Sequence, residues 1–217
     1  MSSSEALQRA GAQDYADRVG QTSPNLPRGS AFVGERLVKG SHVVAAETWV
    51  DTRLGKGTLK QLTENAGQNW RIILPVAWYE IDVLHDALEE VSRRVDLSVE
   101  DITTQIARLN AESDLRSIYK VFLRVAQPQR VLSMTPRLWT TYVRFGSATA
   151  VTNEKGLYVG QGDGFDQRLL GWGCGCWRGF IPATIEVAGG RVMDARIINR
   201  WRQNDGTHSV QFQVVYE

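Results

Sequence analysis

Apolar residues recur every three to four positions through the first part of the chain and alternate with polar ones through the last, and the change falls within residues 128 to 146. Val43, Ala46, Trp49 and Val50 predict a helix from about Ser41 to Leu54. Leu59 and Leu62 predict a second, opened by Thr58 with Gln61 at capping-box spacing. Residues 70 to 75, Trp-Arg-Ile-Ile-Leu-Pro, are too apolar for a loop and too short for a helix, which predicts a buried connection. Ile81, Leu84, Leu88 and Val91 share one face of a helix over about Tyr79 to Arg94, with the acids Glu80, Asp82, Asp86, Glu89 and Glu90 mostly on the other. Ser98, with Asp101 three residues on, caps a further helix that carries Val99, Ile102, Ile106 and Leu109 inward. Leu115, Ile118, Tyr119, Phe122 and Leu123 predict one more before Pro128.

Between Pro128 and Gly146, Thr135 can cap a helix whose first residue is Pro136, and Gly146 can end it. Leu138, Trp139, Tyr142 and Phe145 then fall on one face. Beyond it, residues 147 to 152 and 157 to 160 read as strands about the turn Asn153-Glu154-Lys155-Gly156, and the glycines of 160 to 164 are expected to break the pattern. A helix follows over about Asp166 to Ala188. Gly171, Gly175 and Gly179, four apart, give it one smooth face for another backbone or a partner. Two last strands, about 191 to 201 and 208 to 216, join through Asn204-Asp205-Gly206, a hairpin signal, with Val210, Phe212, Val214 and Tyr216 on the buried side. The predicted fold class is α+β: an N-terminal helical part packed on a C-terminal antiparallel sheet, with one long glycine-rich helix between strand pairs.

Composition narrows the function more than the fold. The 217 residues carry 25 Lys and Arg against 24 Asp and Glu, so a net charge of +1 gives no footprint for nucleic acid or an anionic membrane. The most apolar stretch, residues 169 to 188, is interrupted by Arg178, Pro182 and Glu186, so no membrane span is expected. The first residues show no signal-peptide core, and the two cysteines make no disulfide framework. A cytoplasmic protein is expected, with a mobile tail over residues 1 to 30 and a single domain over 31 to 217.

Few residues offer chemistry. Cys174 and Cys176 point about 200° apart on a helix and have no Cys or His nearby in sequence, so they read as buried small residues. Among the three histidines, His85 borders an apolar helix face between acids, His208 lies beside a turn, and with His42 they form no recognisable acid-base pair. The glycine loops lack the spacing and lysine of a phosphate loop. The remaining candidates are aromatic: Trp78, Tyr79, Trp139, Tyr142, Phe145, Trp172, Trp177 and Phe180 either line a pocket between helices and sheet or fill a core.

Residues 128 to 146 also carry a likeness. Pro128-Gln129-Arg130, Pro136-Arg137-Leu138-Trp139, Tyr142 and Gly146 resemble the signature of an uncharacterised myxobacterial paralogous family, with Gln127 where that pattern has serine. Val38-Lys39-Gly40, Trp78-Tyr79 and Ala188-Gly189-Gly190 extend it from about residue 36 to the end. That family looks like the larger group of haem nitric oxide/oxygen sensors, 4-vinyl reductase domains and TRAPP subunits. The resemblance implies a bacterial, non-catalytic regulatory module that senses a small apolar ligand or binds a protein partner, self-association included. A structural adaptor without ligand is the alternative, and a thiol-dependent enzyme the remote one. Tyr142-Val143-Arg144 does not fit the sensors' Tyr-x-Ser-x-Arg motif and His85 lies too early for their histidine, so no cofactor is expected and haem is disfavoured.

Overall fold

The structure, a computed structural model, describes residues 35 to 117 and 127 to 217. The expected N-terminal tail and the apolar positions Ile118, Tyr119, Phe122 and Leu123 lie outside the described residues. Strand β1 (Leu37–Lys39) leads into α1 (Gly40–Leu54) and α2 (Thr58–Asn65), and β2 (Trp78–Glu80) leads into α3 (Ile81–Val95) and α4 (Val99–Ser117). Two short helices, α5 (Pro128–Leu132) and α6 (Thr135–Tyr142), precede β3 (Ser147–Glu154) and β4 (Leu157–Phe165). Helix α7 (Leu170–Val187) and the hairpin of β5 (Val192–Arg202) and β6 (His208–Tyr216) complete the chain. The class is α+β, as the two periodicities predict. The four-stranded sheet runs β3-β4-β6-β5, each neighbour antiparallel, and β1 pairs with β2 in a second, two-stranded sheet.

Periodicity placed the helical core well. Ile81, Leu84, Leu88 and Val91 are each fully buried. At the start of α4 the Asp101 N–H donates to Ser98 Oγ (3.0 Å) and the Ser98 hydroxyl returns a bond to Asp101 Oδ2 (2.7 Å). Helix α2 is capped differently from its sequence spacing. Its Thr58 hydroxyl bonds back to the carbonyls of Leu54 and Gly55, and Asp51 of α1 accepts from the N–H groups of Gly57 (2.7 Å) and Leu59 (3.4 Å). A carboxylate at a helix start satisfies free N–H groups and meets the positive end of the dipole.

Three local expectations are corrected. The connection over residues 70 to 75 buries Trp70 but exposes Ile72 and Leu74, as Val76 beyond it is exposed, and its backbone serves the start of α1, where the Ser41 N–H donates to the Pro75 carbonyl (3.0 Å). Leu109 is also exposed, on the side of α4 away from α7. The glycines of 160 to 164 do not end β4, which continues to Phe165. Trp177 of α7 lies over Gly160 and Gly162, and a Cβ at Gly162 would sit 2.7 Å from its Nε1. The missing side chains of the strand are the space that this indole fills.

The segment 128 to 146 is two short helices where one was expected. Thr135 is the first residue of α6 and its hydroxyl bonds the Leu132 carbonyl, so it joins the two helices and does not cap the second. Gly146 lies four residues beyond the end of α6, at φ 61°, where the chain turns into β3 against the Asp163 carbonyl. A side chain there would meet both strain and that oxygen.

Candidate functional site

Helices α1, α4, α6 and α7 meet around a cavity of about 60 Å³. Each wall follows from its sequence. Gly40 lets α1 start tight against β2, since a Cβ there would meet the Tyr79 ring at 2.9 Å, and this sets His42 and Val43 inward. Helix α4 is drawn against α7 because Gly175 and Gly179 admit it: added Cβ atoms would meet Thr103 Cβ at 2.6 Å and Ala107 Cβ at 2.9 Å. That close approach turns Ala107 and Asn110 toward the cavity. The smooth glycine face is thus occupied within the chain, and Gly171, whose nearest neighbour atoms stand 4.0 Å from a Cβ, is the loosest of the three.

Five of the eight aromatic candidates, Trp139, Tyr142, Trp172, Trp177 and Phe180, line this cavity. Trp139 stacks on Trp177 (6.1 Å between centroids) and stands edge-on to Phe165 (5.7 Å), while its Nε1 donates to the Phe145 carbonyl (3.0 Å). Phe145 packs behind the wall on Trp172. Trp78 and Tyr79 are elsewhere, because β2 carries them to the other sheet: Trp78 lies between the cations of Lys39 and Arg144, and the Tyr79 hydroxyl accepts from the Leu74 N–H (2.8 Å).

Sequence reasoning passed over the polar members. His42 is 4 % exposed, its ring stands edge-on to Trp172 at 5.7 Å, and among the described residues its Nε2 has no hydrogen-bond partner. Asn110, also on the wall and 3 % exposed, has no partner for its Oδ1 among the described residues. Burial drives the His42 pKa down to about 4, so the imidazole is neutral near pH 7. Among the described residues no Asp, Glu, Lys or Arg lines the cavity. The only hint in the sequence was a histidine inside the apolar period of α1.

The thiols are unreactive by environment. Cys174 is buried and its pKa is raised to about 11, and desolvation holds the Cys176 thiol, on the cavity wall, well above its ordinary value. His85, Asp86 and Glu89 bring ligand atoms within 4.8 Å of one another on α3. Arg168 already pairs with Asp86 and Asp82 there, and burial, then Arg168, lower the His85 pKa against the pull of Glu89 and Asp82. A guanidinium in that position competes with any cation.

Solved H-NOX domains share this arrangement of helices and four-stranded antiparallel sheet. An oxygen-binding H-NOX domain related to soluble guanylate cyclases is 13 % identical over 82 % of this chain and 95 % of that one, with a TM-score of 0.61. A T. tengcongensis H-NOX variant gives 14 %, 82 %, 97 % and 0.64, and a domain studied for haem redox potential and porphyrin distortion gives 13 %, 82 %, 99 % and 0.60. At this identity the likeness is one of fold. No family profile and no curated protein matches the sequence. These neighbours overturn one expectation: missing sensor motifs suggested no cofactor and counted against haem, whereas the solved structures that share the fold include H-NOX domains studied for their haem.

Proposed function

We propose that the chain is a non-catalytic regulatory module that senses a small apolar ligand in the cavity between α1, α4, α6 and α7. One observation carries the reading: α1, α4, α6 and α7 leave between them an almost wholly apolar cavity, walled by Trp139, Trp172 and Trp177, that no described side chain fills. A side chain filling the same space would have favoured an adaptor. Thiols held protonated, and the lack of an acid, base and nucleophile set around the cavity, argue against catalysis.

Haem is the first ligand to test, because the fold neighbours include domains named for it. The donor chemistry here suits it: His42 offers a neutral imidazole nitrogen, and Trp139, Trp172 and Trp177 keep water away. When bound, haem would supply an iron centre that no side chain of the chain provides. The free space of about 60 Å³ adds a condition, since ligand sites of drug-sized molecules run to roughly 300–1,000 Å³ and the stacked indoles would have to part. A protein partner would receive the signal, self-association included, and the exposed apolar residues Ile72, Leu74 and Val76 are surface that such a partner would cover.

The test is the full chain, purified from haem-replete cells and studied by native mass spectrometry and absorption, with Leu138→Phe as the filled-cavity control. A bound small molecule or a haem absorption band that the control loses supports the reading. Equal behaviour of the two proteins, with nothing bound to either before or after hemin is added, would count against it.

A further inference from the structure

Strand β2 has a neighbour on one side only. It pairs with β1 in the register Leu37 to Glu80, Val38 to Tyr79 and Lys39 to Trp78, and among the described residues no third strand lies beside it. The bonds beyond each end fix which way its backbone faces: the Gly40 N–H donates to the Ala77 carbonyl (2.8 Å) and the Ile81 N–H to the Arg36 carbonyl (3.0 Å). Bonded and non-bonded pairs alternate in an antiparallel ladder, so Tyr79 is the bonded residue between those two. Trp78 and Glu80 therefore turn their N–H groups, and Trp78 its carbonyl, away from β1. None of these three groups has a partner among the described residues. The far side of β1 is taken, since the Arg144 N–H donates to the Leu37 carbonyl (2.9 Å), so the open edge belongs to β2.

The side chains give this edge two ends of opposite sign. Lys39 Nζ and the Arg144 guanidinium lie over the Trp78 ring, 4.8 and 4.1 Å from its centroid, and neither meets a carboxylate among the described residues. Glu80 follows two residues on, on the same face of the strand, exposed and with no cation beside it among the described residues. Val76, 75 % exposed, precedes the strand, and Leu74 is held next to it by the turn in which its carbonyl accepts the Ala77 N–H (3.0 Å).

Such an edge is complementary to itself in one register. Laid antiparallel on a second copy with Tyr79 at the twofold axis, Trp78 of each chain stands opposite Glu80 of the other. The outward groups then match, with each Glu80 N–H donating to the other copy's Trp78 carbonyl, and each Glu80 carboxylate stands opposite the other copy's Trp78 and the cations on it. The two neighbouring registers set Trp78 against Trp78 or Glu80 against Glu80, like charge on like. An anionic membrane fits less well, because Glu80 would face it. We propose that β2 is a self-association edge, on which two copies of this chain pair strand to strand in that register and form a weak twofold dimer. Trp78, Glu80, Lys39 and Arg144 are all outside the cavity wall, so this pairing does not depend on the sensing reading.

Sedimentation equilibrium of the full chain, at concentrations up to about 1 mM, tests it. A monomer–dimer equilibrium is expected, weakened about fivefold to tenfold in Glu80→Gln by loss of two exposed charge contacts. Glu80→Arg and Arg144→Glu should each be monomeric alone and pair when mixed. Glu80→Pro should also be monomeric, since φ at Glu80 is −64°, the value proline needs, and the N–H it removes serves no bond within the chain. A chain that is monomeric at every concentration overturns the proposal, whether or not phosphatidylserine vesicles bind it, and so does a dimer that Glu80→Arg and Glu80→Pro leave unchanged. Should Glu80→Pro fail to fold, the mixture of Glu80→Arg with Arg144→Glu still decides the matter.

Discussion

Helix α7 meets the rest of the chain in two different ways. On one side its own glycines, Gly175 and Gly179, admit the backbone of α4, and the contact is filled by main chain. On the other, its Trp177 lies over Gly160 and Gly162 of β4, and the contact is filled by a ring. Backbone on backbone leaves no space between the helices at those positions. The cavity opens on the helical side, with no residue of β4 on its wall. Helices α4 and α7 thus close on each other where α7 supplies Gly175 and Gly179, and part at Ala107 and Asn110, where α7 presents Cys176, Trp177 and Phe180.

The sharpest way to break this contrast is Gly179→Leu. Its Cβ would overlap the Thr104 carbonyl and crowd Ala107, and neither can move without moving α4, so unfolding by denaturant should show a loss above about 3 kcal/mol. A small loss would mean that the α4–α7 contact is looser than described.

Acid should act most strongly on the cavity side. His42 has a pKa of about 4 when folded against 6.5 when unfolded, so the unfolded chain takes the proton first. Stability is complete above pH 6.5 and falls as the pH drops from 6.5 to 4, by roughly 3 kcal/mol over the window. His85, lowered in the same direction, adds to the fall. His42→Phe should flatten the curve in part, and denaturant midpoints measured from pH 7.5 to 4.5 would show it.

Gly160→Ala should cost less, about 2 kcal/mol, by pushing the Trp177 ring, and should change ligand affinity with it, as calorimetry and titration can follow together. Smallest is Gly171→Ala. Ordinary contact distance and a helical position predict a gain of about 0.5–1 kcal/mol, read as a higher melting temperature, and a loss there would show that the smooth face extends further than Gly175.

The sequence showed one side of this comparison more clearly than the other. Spacing alone revealed the inward face of α3, the Ser98–Asp101 cap and the hairpin at Asn204 to Gly206, because each is a local arrangement whose partners lie within a few residues. It also revealed the smooth face of α7 without saying that α4 covers it. The cavity was only half legible. Trp139, Tyr142, Trp172, Trp177 and Phe180 were candidates as aromatic residues, but His42 and Asn110 join them from 29 to 138 positions away, and periodicity cannot report a contact of that range. The continuation of β4 through Gly160 and Gly162 failed for the same reason, since Trp177 is what makes those glycines fit a strand. Asp51 capping α2 from α1 is a third such case.

The most direct test of a ligand site beside His42 is its own ring. In the full chain labelled with ¹⁵N-histidine, the His42 nitrogens should report a neutral imidazole at pH 7, and the Nε2 resonance should move when hemin is added and stay in place in Leu138→Phe. A charged imidazole at pH 7, or an Nε2 resonance that no added ligand moves, would contradict the account.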